Sequence, residues 1–313
     1  MMRVPPGVGH GVDNRRRTSI NGAQQADHDD KSPVLDGLVD AAAEALALFG
    51  RVRAARDGWV NSQGGDVASS GSERSLVRHA ANYLAAASLA GAAPEGARLV
   101  DVGGGVGAFS AWLADRLGAP ATLVDADPDM LRVAAAAFPS LALEASLDAL
   151  PDGCAWLVTA MEVVEHVPTA QQEGFVRELA RLVAPGGMLV LSTPDESRYL
   201  GGWSGYGPHV GVLDAKGLER LVGGATDRPA RVWRLEGEAF HVGTVERVLL
   251  PVANRAIGLL RAQVPSALDA LGHTFTRVGG LLPARPPRTT HRVAALPPEQ
   301  GRGSGLLAAV HFA

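Results

Sequence analysis

Apolar positions along this chain follow two alternating periods. Over "VLDGLVDAAAEALALFGRVRAA" (34–55) they recur at helical spacing, and a second helix is expected over roughly 73–91, ending at "GAAPEG". From residue 97 short apolar runs take turns with amphipathic stretches. The runs are "ARLVDV" (97–102), "ATLVDA" (121–126), "LALEA" (141–145), "AWLVTAM" (155–161) and "MLVLSTP" (188–194). Between them lie expected helices at 108–118, about 128–137 and 170–183. Short, almost wholly apolar runs alternating with helices predict an α/β fold, a mostly parallel sheet covered on both faces.

Beyond residue 194 the pattern predicts a helix over 213–222, a strand over 230–242 and a last strand, "LLAAVHFA" (306–313). Residues 244–262 carry a helical apolar stripe despite Pro251. The expected organisation is therefore a disordered leader (1–33), an N-terminal helical cap (34–96) and a core (97–243). A helical insertion with a Pro/Arg-rich linker (244–304) and a final core strand (305–313) complete it. The Gly/Ser stretch at 61–72 reads as a flap or a linker.

Composition narrows the classes. The chain has 313 residues, 46% hydrophobic and 20% charged, enough for a sizeable core. A formal net charge of −4 gives no general attraction to nucleic-acid phosphates or anionic lipid. The single cysteine, Cys154, leaves no internal disulfide and no cysteine-based zinc site. Arg15 to Arg17 are not followed by an apolar signal core, and no run approaches the roughly 20 apolar residues of a membrane span. A cytoplasmic protein is the expectation.

The first candidate chemistry is "VDVGGGVGAFS", which sets Gly103, Gly105 and Gly107 between a strand and a helix. Glycine serves where the backbone turns sharply or a ligand comes close, and the helix start offers free N–H groups. Asp101 precedes the glycines as an acceptor for a ligand's ammonium or hydroxyls. The next acid at a strand end, Asp125, stands where a carboxylate can grip ribose hydroxyls. Gly103, Gly105 and Ala108 also fit a dinucleotide fingerprint, but the placing of Asp101 and "VDADPDML" (124–131) speak against it.

"DVGGGVG", "VDADPDML" and "LVAPGGMLVLSTP" (182–194) closely resemble motifs of class I S-adenosylmethionine-dependent methyltransferases. The resemblance covers about 97–195. It implies a Rossmann-like, seven-stranded sheet that binds S-adenosylmethionine. By it, Asp101, Gly103 and Gly105 line the methionine end, Asp125 with Ala126 holds the ribose, and Ser146 and Leu147 stand on the adenine side. Met161 completes the cofactor contacts.

"AMEVVEHVP" (160–168) supplies the second candidate site. On a helix, Glu162, Glu165 and His166 would share one face at i, i+3 and i+4. Crowded carboxylates repel unless a proton or cation separates them. The stretch is similar to the motif of ubiquinone-biosynthesis O-methyltransferases and of metal-dependent enzymes that methylate the terminal 2′-hydroxyl of small RNAs. The resemblance makes Glu162, Glu165 and His166 metal ligands and catalytic residues. Oxygen ligands with one imidazole favour Mg²⁺, with Mn²⁺, Zn²⁺, Fe²⁺ or Co²⁺ as alternatives. His209, in "GYGPHVGV", is the candidate fourth ligand, while His241 and His273 are assigned structural roles. Two other readings of the cluster stay open: His166 as a metal-free base, and a charged helix start that favours the helix dipole.

The acceptor is expected to be a small hydroxylated molecule, phenolic or quinone-like, within a biosynthetic pathway. An RNA 2′-hydroxyl is the weaker alternative, because aromatics are only 5% and Arg285, Arg288 and Arg292 fall in the linker. A non-catalytic cofactor-binding accessory subunit is the alternative from another class. The 244–262 stripe suits core, homodimer interface or peripheral membrane contact. Trp203 and Tyr206 are candidates for an aromatic pocket wall.

Overall fold

A computed structural model describes residues 32–55, 73–263 and 292–313. The helices are α1 (Leu38–Ala55), α2 (Glu73–Ala90), α3 (Ala108–Leu117), α4 (Pro128–Ala137), α5 (Thr169–Arg181), α6 (Ala215–Thr226) and α7 (Thr244–Gln263). The strands are β1 (Leu99–Val102), β2 (Ala121–Val124), β3 (Ala142–Glu144), β4 (Ala155–Met161), β5 (Val183–Pro194), β6 (Arg231–Gly237), β7 (Val293–Leu296) and β8 (Gly305–Phe312). The leader up to residue 31, the 61–72 stretch, His273, Arg285 and Arg288 lie outside the described residues.

Among the described residues, eight strands join in one sheet ordered β3-β2-β1-β4-β5-β8-β6-β7. β3, β2, β1, β4 and β5 pair in parallel, and β8 runs antiparallel to both β5 and β6. The expected seven strands become eight. Residues 293–296, expected as linker, pair antiparallel with β6 at the sheet edge. Order in the sheet reverses between β1 and β4, the kind of switch point at which α/β folds bind ligands.

Alternate residues of the strands feed two separate cores. Leu99, Leu123, Leu157, Val190 and Leu307 pack beneath α1, α2, α3 and α4. Val100, Val124, Val158, Leu189 and Leu306 pack beneath α5 and α6. Burial on both faces is why these strands lack polar alternation. The two N-terminal helices are part of this arrangement, with Ala42, Ala45, Val77 and Ala81 buried in the same core as Leu99 and Leu123. The described residues from Pro33 onward accordingly form one unit.

Local chemistry sets the helix ends that matter for the site. α3 is bounded by Gly107 and Gly118, both left-handed (φ 79° and 62°). α4 begins with Pro128 behind an Asp127 cap that accepts from the Asp129 N–H at 2.9 Å. α7 keeps Pro251 within it and leaves Val245, Val248, Leu249, Val252 and Leu259 exposed. Among the described residues, no helix is long and apolar enough to cross a membrane.

Candidate functional site

The loop after β1 is shaped by left-handed backbone at Gly103 (φ 72°) and Gly105 (φ 59°). A side chain at Gly103 would also meet Val163 Cγ2 at 2.5 Å, so the loops after β1 and β4 approach too closely for any Cβ there. Asp125 ties this loop to the end of β2. Its Oδ2 accepts from the Gly105 N–H at 2.9 Å and its Oδ1 from the Asp127 N–H at 2.9 Å. Burial is the first cause that raises the Asp125 carboxyl above its ordinary range. Ala126 is exposed beside it, and Met161 is buried at the end of β4.

Asp101 does not line an open surface. It is wholly buried, and its carboxylate accepts from the Ser110 hydroxyl at 2.5 Å, Thr159 at 2.7 Å and Tyr83 at 2.9 and 3.1 Å. It holds the glycine loop from behind. Ser146 and Leu147 open a short 3₁₀ turn after β3, where Ser146 Oγ accepts from the Asp148 N–H at 3.2 Å. They stand at the same carboxyl edge of the parallel strands as the glycine loop.

Burial lifts the Asp101 carboxyl to about 6, against the opposing effect of the three hydroxyls, while the Asp125 charge adds to the rise. The native state then holds this proton more tightly than the unfolded chain does. The group's contribution to stability falls as pH rises from about 4 through about 6. Asp101→Asn cannot ionise and is expected to lose this part of the dependence. Melting temperatures should therefore show the wild type losing ground to the variant across that window, and parallel pH curves would contradict the assignment.

The Glu162–His166 stretch is not the helix face expected from its spacing. Glu162 adopts a left-handed conformation (φ 58°), and only Val164–His166 form a turn of 3₁₀ helix. A left-handed glutamate is held by its surroundings at a cost of about 1–3 kcal/mol. The left-handed kink sends its carboxylate toward α2, where it accepts from Asn82 Nδ2 at 3.3 Å and lies 3.4 Å from the Arg78 guanidinium. It also accepts from Ser192 Oγ at 3.1 Å.

Glu165 points elsewhere. It is 1% exposed and accepts from Thr193 Oγ1 at 3.1 Å. Burial, then the Glu162 charge, push its carboxyl well above the usual range. Its backbone carbonyl accepts from the Val210 and Gly211 N–H groups, both at 2.9 Å, and so draws the His209 loop in. One possible ligand atom each from Glu165, His166 and His209 all lie within 4.8 Å of one another. Three of the four expected metal ligands therefore converge, and Glu162 stands apart from them.

Both imidazoles are oriented through Nδ1. His166 Nδ1 is 3.1 Å from the Pro208 carbonyl, and a carbonyl can only accept. His209 Nδ1 lies 2.6 Å from Glu196 Oε1. With Nδ1–H donating in each ring, Nε2 carries the free lone pair. Desolvation on its inner side and the neighbouring His209 lower the His166 pKa and favour the neutral ring. Glu196 lines the cleft and contacts His209, and the sequence did not single it out. Buried to 1% exposure, it also accepts from the Ser204 hydroxyl at 3.0 Å.

A cleft of about 380 Å³ opens beside these groups. α2 lines it with Arg74, Arg78 and His79, the 194–209 segment with Glu196, Tyr199, Tyr206 and His209, and α7 with Glu246 and Asn254; Glu162 adds a carboxylate. Tyr206 fulfils its expected place in the wall. Trp203 is not among the lining residues and has the Arg255 guanidinium over its ring at 5.6 Å. Most of the lining residues are of polar or charged type. His241 ends a 3₁₀ turn and is exposed.

The chain is similar to known proteins over its central part. Residues 75–235 match a family model described as a methyltransferase domain. Over 106 residues the chain is 39% identical to a ubiquinone biosynthesis O-methyltransferase of Xanthomonas oryzae pv. oryzae, covering 31% of this chain and 43% of that protein. Over 137 residues it is 36% identical to an uncharacterized methyltransferase of Mycobacterium tuberculosis, covering 42% and 48%. The chain thus spans less than half the length of these curated relatives. A crystal structure of a SAM-dependent methyltransferase from Archaeoglobus fulgidus aligns over 76% of this chain and 92% of its own, at 14% identity and a TM-score of 0.45. With the family model matching half of its length, the chain belongs to the methyltransferase-domain family.

Proposed function

We propose that this enzyme O-methylates a hydroxyl of a small molecule with the help of a divalent cation held by Glu165, His166 and His209. The observation that carries the reading is the convergence of these three side chains to within 4.8 Å, next to a cleft of small-molecule size. The donor set fits a cation. A buried carboxylate disfavoured by desolvation gains from a positive neighbour, and both rings keep Nε2 free. Two imidazoles and one carboxylate suit Mn²⁺, Co²⁺, Fe²⁺ or Zn²⁺ better than the Mg²⁺ favoured from sequence, which prefers oxygen ligands.

When bound, such a cation lowers the pKa of an acceptor hydroxyl in its shell. The protein's own residues do the rest. Pro208 and Glu196 fix the ring orientations through Nδ1. Glu162, at the cleft wall, is placed to take the hydroxyl proton while Arg78 and Asn82 steady its carboxylate. The acceptor oxygen then forms the new C–O bond as the S–CH₃ bond breaks, and the sulfonium becomes the neutral thioether S-adenosylhomocysteine. Contact with a membrane surface or a second copy of the chain would fall on the exposed apolar residues of α7.

The test is chelation followed by add-back on a hydroxylated aromatic acceptor panel. Turnover should disappear after dialysis against EDTA and return more strongly with Mn²⁺, Co²⁺ or Zn²⁺ than with Mg²⁺. Full turnover in EDTA would refute metal assistance.

A further inference from the structure

The acid expected to meet the ammonium group of the cofactor is already engaged. Both oxygens of Asp101 accept protein hydroxyls, and the residue is wholly buried. One residue before Tyr83 on α2 stands an acceptor with no such engagement. Asn82 is 0% exposed, and its Oδ1 has no hydrogen-bond partner. Its Nδ2 donates to Glu162 Oε1 at 3.3 Å, which fixes the amide orientation, because the flipped amide would set Oδ1 against a carboxylate. Buried amide oxygens are rarely left without a donor, and such an orphan calls for a specific explanation.

Its position supplies one. Asn82 contacts Glu162 just past the carboxyl end of β4, and its neighbour Tyr83 bonds Asp101 in β1. β1 and β4 are adjacent, with Asp101 opposite Thr159, and the sheet order switches between them. Here Gly103 and Val163 bring the two loops together, and Gly103 is exposed. The unpaired oxygen lies beside the Glu162 carboxylate, which lines the cleft, and the pair suits a cation with several N–H donors.

We propose that Asn82 Oδ1 accepts the α-ammonium group of S-adenosylmethionine, making α2 part of the cofactor site. The proposal concerns cofactor binding through Asn82 Oδ1, whereas the amide's Nδ2 serves the Glu162 carboxylate.

A double-mutant cycle tests it, using S-adenosylhomocysteine and its des-amino analogue as the two ligands. Calorimetry on the full chain should give a Kd for S-adenosylhomocysteine about tenfold weaker in Asn82→Ala than in the wild type. The des-amino analogue should bind both proteins equally. Equal weakening of both ligands, or no change in either, would overturn the proposal. The analogue's binding to the variant also reports that the site is folded. Should alanine unfold the helix, Asn82→Leu, which fills the same volume without an acceptor, repeats the cycle with the same two outcomes.

Discussion

Replacing His209 with alanine is expected to lower turnover roughly a thousandfold while affinity for S-adenosylhomocysteine stays within about twofold. The expectation follows from how the site is built. Glu165 and His166 come from the segment after β4, whereas His209 arrives on a separate loop, tied in by the Val210 and Gly211 N–H groups on the Glu165 carbonyl. Removing one of three protein ligands lowers both occupancy by a cation and its polarisation of an acceptor hydroxyl, an effect worth several kcal/mol of barrier. The glycine loop and Asp125 are untouched, so cofactor binding should persist. Glu196→Gln should show a smaller loss of about 10- to 100-fold, partly recovered at high metal concentration, because it orients the ring without supplying a ligand atom. Initial rates over a metal titration, with parallel calorimetry, check both. A His209→Ala enzyme with wild-type turnover would sink the three-ligand reading.

The second large effect concerns stability. Arg234, 4% exposed in β6, donates to Asp195, which is 0% exposed at the end of β5. Arg234 also donates to the Gly303 carbonyl at 2.8 Å and the Pro298 carbonyl at 3.0 Å. Arg234→Ala leaves a buried carboxylate with Arg198 as its remaining guanidinium, 3.2 Å away. Breaking a buried pair from one side costs about 3–5 kcal/mol, and the surviving Arg198 contact points to the lower end. The melting temperature should fall by on the order of 10 °C. The double replacement Asp195→Asn/Arg234→Met should fall less, because no buried carboxylate is stranded and the Arg198 it releases is 26% exposed. A drop of under about 2 °C for the single variant would show that the pair is not the anchor described. Asp195 also begins the segment that carries Glu196 and His209, so the same variant should need more metal for half-maximal activity.

The sheet was legible because its strands are buried on both faces, and "LVDV", "ATLV" and "AWLVTAM" have almost no polar interruption. β7 was hidden for the opposite reason. Four residues at an edge, half-buried and without a turn signal, look like linker. The glycine loop and Asp125 carry local signatures. The geometry of Glu162 does not, since its left-handed backbone depends on Ser192, Arg78 and Asn82, all distant in sequence. Glu196 reads as an ordinary polar turn residue between Asp195 and Ser197, and only the folded loop brings His209 back to it. Asn82 and Tyr83 lie in an alanine-rich helix whose pattern shows only that it is buried.

The position of β8 sets an order of events for a chain made from its N-terminus. β1 to β5 can pair in parallel once residue 194 has emerged, and with them the glycine loop and Asp125. The open edge of β5 must then wait for residues 305–312, since β8 alone lies between it and β6. The segment bearing Glu196 and His209 is held at one end by the Glu165 carbonyl, but its first residue, Asp195, gains the Ser304 carbonyl as a partner only at this stage. A ribosome stalled between these points would display a sheet whose long β5 edge is unpaired in addition to the short β3 edge, the state most exposed to mispairing.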